Sequence, residues 1–413
     1  MNRRDELLAL IAQKRGEVEQ YKKEADGHNA MQLALKLVLN GSYGAGAAKH
    51  YVCFCNAVAA TTTSQGREAT KTMIAENDRY WHTMWHLDTE LHAHLGITGE
   101  VEPIPEDVVV TSYGDTDSVF VTYAPAMASC NWTGDPLEFI HKTSQFRITP
   151  HFGKALDAYA AKYGVANIQN FETEQISKSI VFLAKKMYVK NVVWDDGNFK
   201  EGNPAYCKTG NYYEPETEIQ AKGIDLVRSS TPVFAREKMK HIIKHFFANS
   251  EEIADPNRRG AAEKGLNKLI KDMKSEFDLA DITDISSSSS CNKYNEKVLN
   301  DKDAFVTTKG THHAVKAAAL HNYILNNNPE HKTRYSLIKS GQKIKYYATK
   351  NTTNGSFAFV AGQYPYELAT QYAPIDLDTQ FQKCILKMVN RFNKVLGMSN
   401  ITSKLSFSIG LPF

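Results

Sequence analysis

No apolar run in the 413-residue chain is long enough to cross a bilayer. Nor does an apolar leader with a cleavage site open it, because MNRRDELLALIAQKRGEVEQ is charged and amphipathic. The chain reads as mature sequence with no membrane partner. Cysteine is sparse, at 53, 55, 130, 207, 291 and 384, and only Cys53 and Cys55 lie close together. No spacing suits zinc or a disulfide scaffold, so reduced thiols in a cytoplasmic compartment are expected. A strong excess of one charge is also lacking: 49 Lys and Arg against 46 Asp and Glu leave +3. Composition therefore does not announce nucleic acid, and any basic surface must be local. No repeat of solenoid length is visible. What remains is an ordinary globular balance, 42% hydrophobic and 23% charged, in a chain long enough for two or three cores.

From Asp5 to about Ala25, Leu7, Leu8, Ile11, Val18 and Tyr21 recur at helical spacing. Asp26-Gly-His-Asn29 then supplies turn chemistry before a second helical stretch, which predicts an antiparallel helix pair. The glycines of Gly41-Ser-Tyr-Gly44-Ala-Gly46 are expected to loosen or end the second helix. A longer helical region follows from about Cys55 to His94. Asp107–Tyr113 and Ser118–Tyr123 are β-branched and apolar, and with Gly-Asp-Thr-Asp between them they read as a hairpin. Helical segments around Pro136–Phe146 and Pro150–Tyr163 lead to strand-like runs at Ile168–Ile176, Ser179–Leu183 and Met187–Trp194. Thr231-Pro-Val-Phe opens a long helix with capping chemistry, and mostly helical segments follow to about Met273. Ser286–Ser290 reads as a flexible loop. The sum is an α+β chain: a helical hairpin, an antiparallel sheet covered by helices, and a mostly helical last part.

Several residues carry chemistry. Asp115 and Asp117, two apart on extended backbone, are expected to point to one side of the hairpin. Hard Mg²⁺ takes one or two such carboxylates together with substrate phosphates and water. By itself such a pair more often marks a plain turn, since Gly, Asp and Thr all favour turns. Lys36 and Asn40 sit one helical turn apart, with Tyr43 a further turn on, a face that suits a triphosphate or simply solvent. Lys185 and Lys186 interrupt an apolar strand beside Tyr188, and adjacent lysines of this kind are most often solvated. The apolar end, Leu405-Ser-Phe-Ser-Ile-Gly-Leu-Pro-Phe413, suits docking on its own domain or on a partner.

Together these residues resemble a known family. Tyr113-Gly-Asp-Thr-Asp-Ser118 resembles motif C of family B DNA polymerases, and Lys36-Leu-Val-Leu-Asn40 with Tyr43-Gly44 resembles motif B. Thr63-Ser-Gln-Gly66-Arg67 matches a further signature of that family. The resemblance implies fingers at 1–46, the second part of the palm at 47–225 and a thumb at 226–413. It implies that Asp117 and Asp115 help bind two Mg²⁺ ions during dNTP addition to a primer. It also implies that Lys36, Asn40, Tyr43 and Arg15 serve the incoming nucleotide. Gly41 stands where the family has Ser, and Glu19 where it has a second phosphate-binding Lys. Ala184–Tyr188 resembles the Lys-Lys-Arg-Tyr segment with which the palm follows primer-template DNA, with Met187 in place of Arg. Glu174 falls where the palm has a carboxylate, and Lys222 and Arg228 fall at the palm-to-thumb junction that holds product duplex. Leu411 and Phe413 resemble the anchors of the sliding-clamp peptide that ends phage replicative enzymes.

The family's motif A, an Asp followed by Ser-Leu-Tyr-Pro, does not occur here. Asp88-Thr-Glu90 has the spacing of the family's 3′–5′ exonuclease motif but reads as surface helix. The resemblance thus implies the carboxy-terminal subunit of a split, phage-type polymerase. A partner chain brings motif A, shares the two Mg²⁺ ions and supplies the exonuclease, and the chain by itself is inactive. If viral, the pair acts in the infected host cell. A non-catalytic primer-template or clamp-binding subunit is the alternative, and a shortened chain or an unrelated nucleotidyl transferase is a third.

Overall fold

The computed structural model describes residues 3–195, 218–350 and 355–402, so Leu411 and Phe413 lie outside the described residues. Contacts divide the chain into two compact units, Met1–Thr173 and Glu174–Phe413.

The first unit begins with α1 (Arg3–Ala47), one continuous helix where the sequence predicts a pair. No proline precedes Pro103. Only glycines oppose the helix at 26–29 and 41–46, at about 1 kcal/mol each. Pairs at helical spacing offset part of that cost: Gln13 to Glu17 at 2.9 Å, Lys14 to Glu17 at 2.7 Å and Gln20 to Glu24 at 2.9 Å. The Ser42 hydroxyl donates to the Val38 carbonyl at 2.9 Å and carries the helix past Gly41. Its apolar residues stay open, with Leu7 at 52% and Leu39 at 70% exposure.

Next come α2 (Asn56–Arg79), a π turn at Tyr80–Met84 and α3 (Thr89–Leu95). Asp88 ends the long helical region by capping α3, accepting the Leu91 N–H at 3.0 Å. It also accepts the Tyr80 hydroxyl at 2.9 Å and pairs with Arg147 at 2.6 Å, while Glu90 takes the same guanidinium at 2.6 Å. Asp88 is therefore a half-buried structural joint rather than surface. The hairpin strands β1 (Thr111–Asp115) and β2 (Ser118–Val121) follow, then α4 (Ala124–Ser129), α5 (Pro136–Thr143) and α6 (Thr149–Ala161). Trp81, Trp85 and Phe139 are fully buried among them. Ile168, read as the start of a strand, is 95% exposed and outside any strand.

In the second unit β3 (Gln175–Ala184), β4 (Met187–Asp195) and β5 (Glu218–Lys222) form an antiparallel sheet in that order. The helices α7 (Val233–Ala248), α8 (Ser250–Ala254), α9 (Arg259–Leu279) and α10 (Ile282–Ile285) come next. Thr231 does not cap α7. Its hydroxyl donates to the Asp225 carbonyl instead. The serine tract is no loop: β6 (Ser287–Ser290) pairs in register with Lys343–Tyr346. The Ser288 N–H reaches the Ser230 carbonyl at 3.0 Å. Serine has no strong strand preference of its own, so the neighbouring backbone decides.

The chain continues through α11 (Tyr294–Lys297), β7 (Val298–Asn300), β8 (Val306–Thr307), α12 (His313–Asn326), β9 (Lys343–Ala348) and β10 (Ser356–Val360). It ends in α13 (Tyr366–Tyr372), α14 (Leu377–Phe381) and α15 (Lys387–Leu396). Strands β10, β9 and β6 make a second antiparallel sheet that the mostly helical expectation did not contain. One apolar cluster joins Val189 of β4 to Met239 of α7, Ile270 of α9 and Phe392 of α15.

His321 of α12 is buried, with Nε2 3.1 Å from the Ser336 carbonyl, and burial pushes its protonation down from 6.5 to about 4. The unfolded chain therefore takes the proton first as pH falls. Stability is full above 6.5 and is lost between there and about 4, by up to roughly 3 kcal/mol. His321→Gln, which keeps a donor for Ser336, is expected to lose less of its urea midpoint between pH 7 and pH 5 than the parent chain. Equal losses would remove His321 as the cause.

Candidate active site

The carboxylate pair lies at the tip of β1–β2. Asp115 pairs with Ser118 across the ladder, which leaves Thr116 and Asp117 as a two-residue turn. Thr116 has φ of 59°. A β-branched residue in the left-handed region is a true outlier, and such strain gathers at functional sites. Strand alternation is thereby interrupted: Asp115 is buried at 7% exposure and Asp117 is exposed. The expectation that both lie on extended backbone fails at the turn.

Helix α2 imposes this geometry. The Thr70 hydroxyl lies 2.6 Å from the Thr116 carbonyl, and the Thr116 hydroxyl donates to Asp115 Oδ1 at 3.1 Å. Further along the same helical face, Asn77 Nδ2 donates to the Thr111 hydroxyl at 2.9 Å. That hydroxyl donates to Asp78 at 2.6 Å. Between them Ile74 presses on Gly114, where an added Cβ would stand 2.8 Å from Ile74 Cδ1. Gly114 therefore admits the helix that holds the turn. Sequence reading found Asp115 and Asp117 but missed Thr70, Asn77 and Asp78. Their signal is the i, i+4, i+7, i+8 spacing of Thr70, Ile74, Asn77 and Asp78, legible only once the face is known.

A buried and an exposed carboxylate beside each other present the hard oxygens that Mg²⁺ prefers. Among the described residues no cluster of three His, Cys, Asp or Glu could hold a metal alone. The pair fits one side of a site completed by phosphate oxygens and further carboxylates.

On α1, Lys36, Asn40 and Tyr43 share one exposed face, as their spacing predicts. Arg15 does not join them. It lies 21 residues away on the same unbroken helix, about 32 Å along the axis, far beyond the reach of a triphosphate.

In the second unit Ala184 pairs with Met187, so Lys185 and Lys186 form the β3–β4 turn rather than part of a strand, with Lys186 at φ of 61°. Both are exposed. Tyr188 is buried at 6% and packs edge-on to Phe182, with the Lys222 ammonium 5.8 Å from its ring centre. It supports a cation and is not itself a surface group. Lys222 pairs with Tyr188 across β4–β5, and Gly223 fits against the Lys186 carbonyl. Arg228 pairs with Asp225 at 3.1 Å. Arg391 of α15 joins this group, 3.6 Å from the other Asp225 oxygen and 3.4 Å from the Met187 sulfur. Nothing in the sequence beyond a basic residue on an amphipathic helix signals Arg391.

The pattern that defines DNA polymerase family B matches residues 2–395. The DNA polymerase catalytic subunit of Psittacid herpesvirus 1 is 23% identical over 246 residues, which are 58% of this chain and 18% of that protein. The corresponding subunit of human herpesvirus 7 is 26% identical over 243 residues, 59% of this chain and 19% of that protein. The matched stretch is thus less than a fifth of either relative's length.

Proposed function

The chain belongs to DNA polymerase family B, and from that premise we propose that it serves template-directed addition of dNTPs to a primer 3′-OH. The observation that carries this reading is the turn at Thr116, left-handed, gripped by Thr70 and flanked by a buried and an exposed aspartate. In the reaction the primer 3′-OH gives up its proton to water, its oxygen attacks the α-phosphorus of the dNTP, a new P–O bond forms, the bond from the α-phosphorus to the bridging oxygen breaks and pyrophosphate leaves. Asp117 and Asp115 would hold Mg²⁺. Two bound ions would supply charge neutralisation at the reacting phosphate. Lys36 meets the triphosphate, Asn40 supports it, and Tyr43 lies against the nascent pair. Lys185, Lys186, Lys222 and Arg228 hold the duplex by its backbone, which carries little sequence information and so accepts any template.

The chain acts with a partner that brings motif A, shares the Mg²⁺ ions and supplies the 3′–5′ exonuclease. Support comes from the carboxylate count: two acids at the hairpin are too few to hold both ions without further ligands. Residues 1–46 act as fingers, 47–225 as palm and 226–413 as thumb. A phage-type replicative setting, with Leu411 and Phe413 tethering a sliding clamp, belongs to the same proposal. The two relatives named above come from herpesviruses. The test is incorporation of labelled dNTP on a primer-template with Mg²⁺, by the full chain alone and after mixing with a motif A chain. Synthesis is expected only in the mixture and only with Mg²⁺. Robust synthesis by the chain alone would overturn the two-chain arrangement.

A further inference from the structure

The geometry points to Arg391 as a phosphate contact of the duplex surface, bringing to the β3–β4 turn a cation that its own sequence omits. This rests on the reading of that turn and of Lys222–Arg228 as the surface that holds primer-template DNA.

The turn ends on Met187, which is uncharged. Arg391 arrives from α15, packed in the same apolar cluster as β4, and sets one guanidinium nitrogen on the Met187 sulfur at 3.4 Å. A thioether is a weak acceptor and leaves the charge intact. The other terminal nitrogen lies 3.6 Å from Asp225 Oδ2, while Arg228 holds Oδ1 of the same carboxylate at 3.1 Å. One carboxylate thus sets two guanidinium groups, and it can neutralise only one of them.

Gly223 against the Lys186 carbonyl fixes the exposed lysines of the turn to the same place. A long, partly exposed ion pair contributes little stability, so the Asp225 contact orients Arg391 more than it binds it. The Arg391 side chain is 39% exposed. Its five N–H donors exceed what sulfur and carboxylate take up, which leaves the planar fork for a phosphate.

The experiment measures affinity of the full chain for a short primer-template duplex as a function of salt. Each phosphate neutralised contributes about 0.9 to the slope of log affinity against log salt. Arg391→Ala is expected to lower the slope by about one, as Lys186→Ala does, and Arg391→Lys is expected to keep it. Met187→Arg added to Arg391→Ala is expected to restore the slope. If Lys186→Ala lowers the slope and Arg391→Ala does not, the inference falls while the duplex reading stands. The same holds if Arg391→Ala weakens binding at constant slope, because that marks a purely structural latch. If neither variant moves the slope, the duplex reading fails and the inference with it.

Discussion

Asp117→Asn in the reconstituted polymerase is expected to lower nucleotide incorporation by roughly a thousandfold, equivalent to ~4 kcal/mol of lost transition-state stabilisation. Duplex affinity should stay level or rise slightly, since the change removes a negative charge near DNA phosphates. Position 117 is the cleaner probe of the pair. Its side chain is exposed at the turn, and its backbone N–H, 2.7 Å from the Asp115 carbonyl, survives the substitution. Asp115 is buried and accepts the Thr116 hydroxyl, so replacing it disturbs the turn as well as the charge. Primer extension and duplex binding measured on the same preparation decide between the two classes of function. Lost extension with intact binding identifies a carboxylate that serves the chemistry. Unchanged extension would favour the non-catalytic binding subunit.

The aspartate hairpin was legible because its signal is local: two β-branched runs around a four-residue polar turn leave few alternatives. The grip on that turn was not. Thr70 reads as one more threonine in a helix already rich in them, and only packing sets it against the Thr116 carbonyl. The single helix α1 escaped a reading in which Gly27 and Asn29 signal a turn, because a glycine penalty near 1 kcal/mol is small against continued hydrogen bonding. The serine tract was misread for a related reason. Its strand is imposed by Lys343–Tyr346, more than fifty residues away in sequence, through backbone pairing that side-chain composition does not record. The lysine turn, Tyr188 beneath Lys222, and Arg391 on Met187 all depend on β4 pairing with both β3 and β5. The second of those pairings spans a long intervening stretch.

Gly223→Ala should destabilise the second unit by about 3 kcal/mol or more and weaken duplex binding beyond what the stability loss explains. Two costs combine. The backbone at Gly223 has φ of 70°, a region that costs an L side chain roughly 1–2 kcal/mol. The added Cβ would also stand 2.0 Å from the Lys186 carbonyl oxygen, a backbone atom in the turn between β3 and β4. A side chain could rotate away, but this oxygen moves only if the turn moves, and overpacking of that kind adds about 1–3 kcal/mol. Gly310→Ala supplies the control, because Gly310 has φ of 76° with nothing near its Cβ position. It should show the backbone cost alone. Urea unfolding of both variants separates the two contributions, and equal losses would mean that the turn yields freely to position 223. Duplex binding adds the functional readout. The carbonyl that Cβ would strike belongs to Lys186 itself, so relief of the clash carries the exposed lysines away from Lys222, Arg228 and Arg391. The glycine between β5 and the Asp225 junction thus acts on DNA affinity without touching DNA.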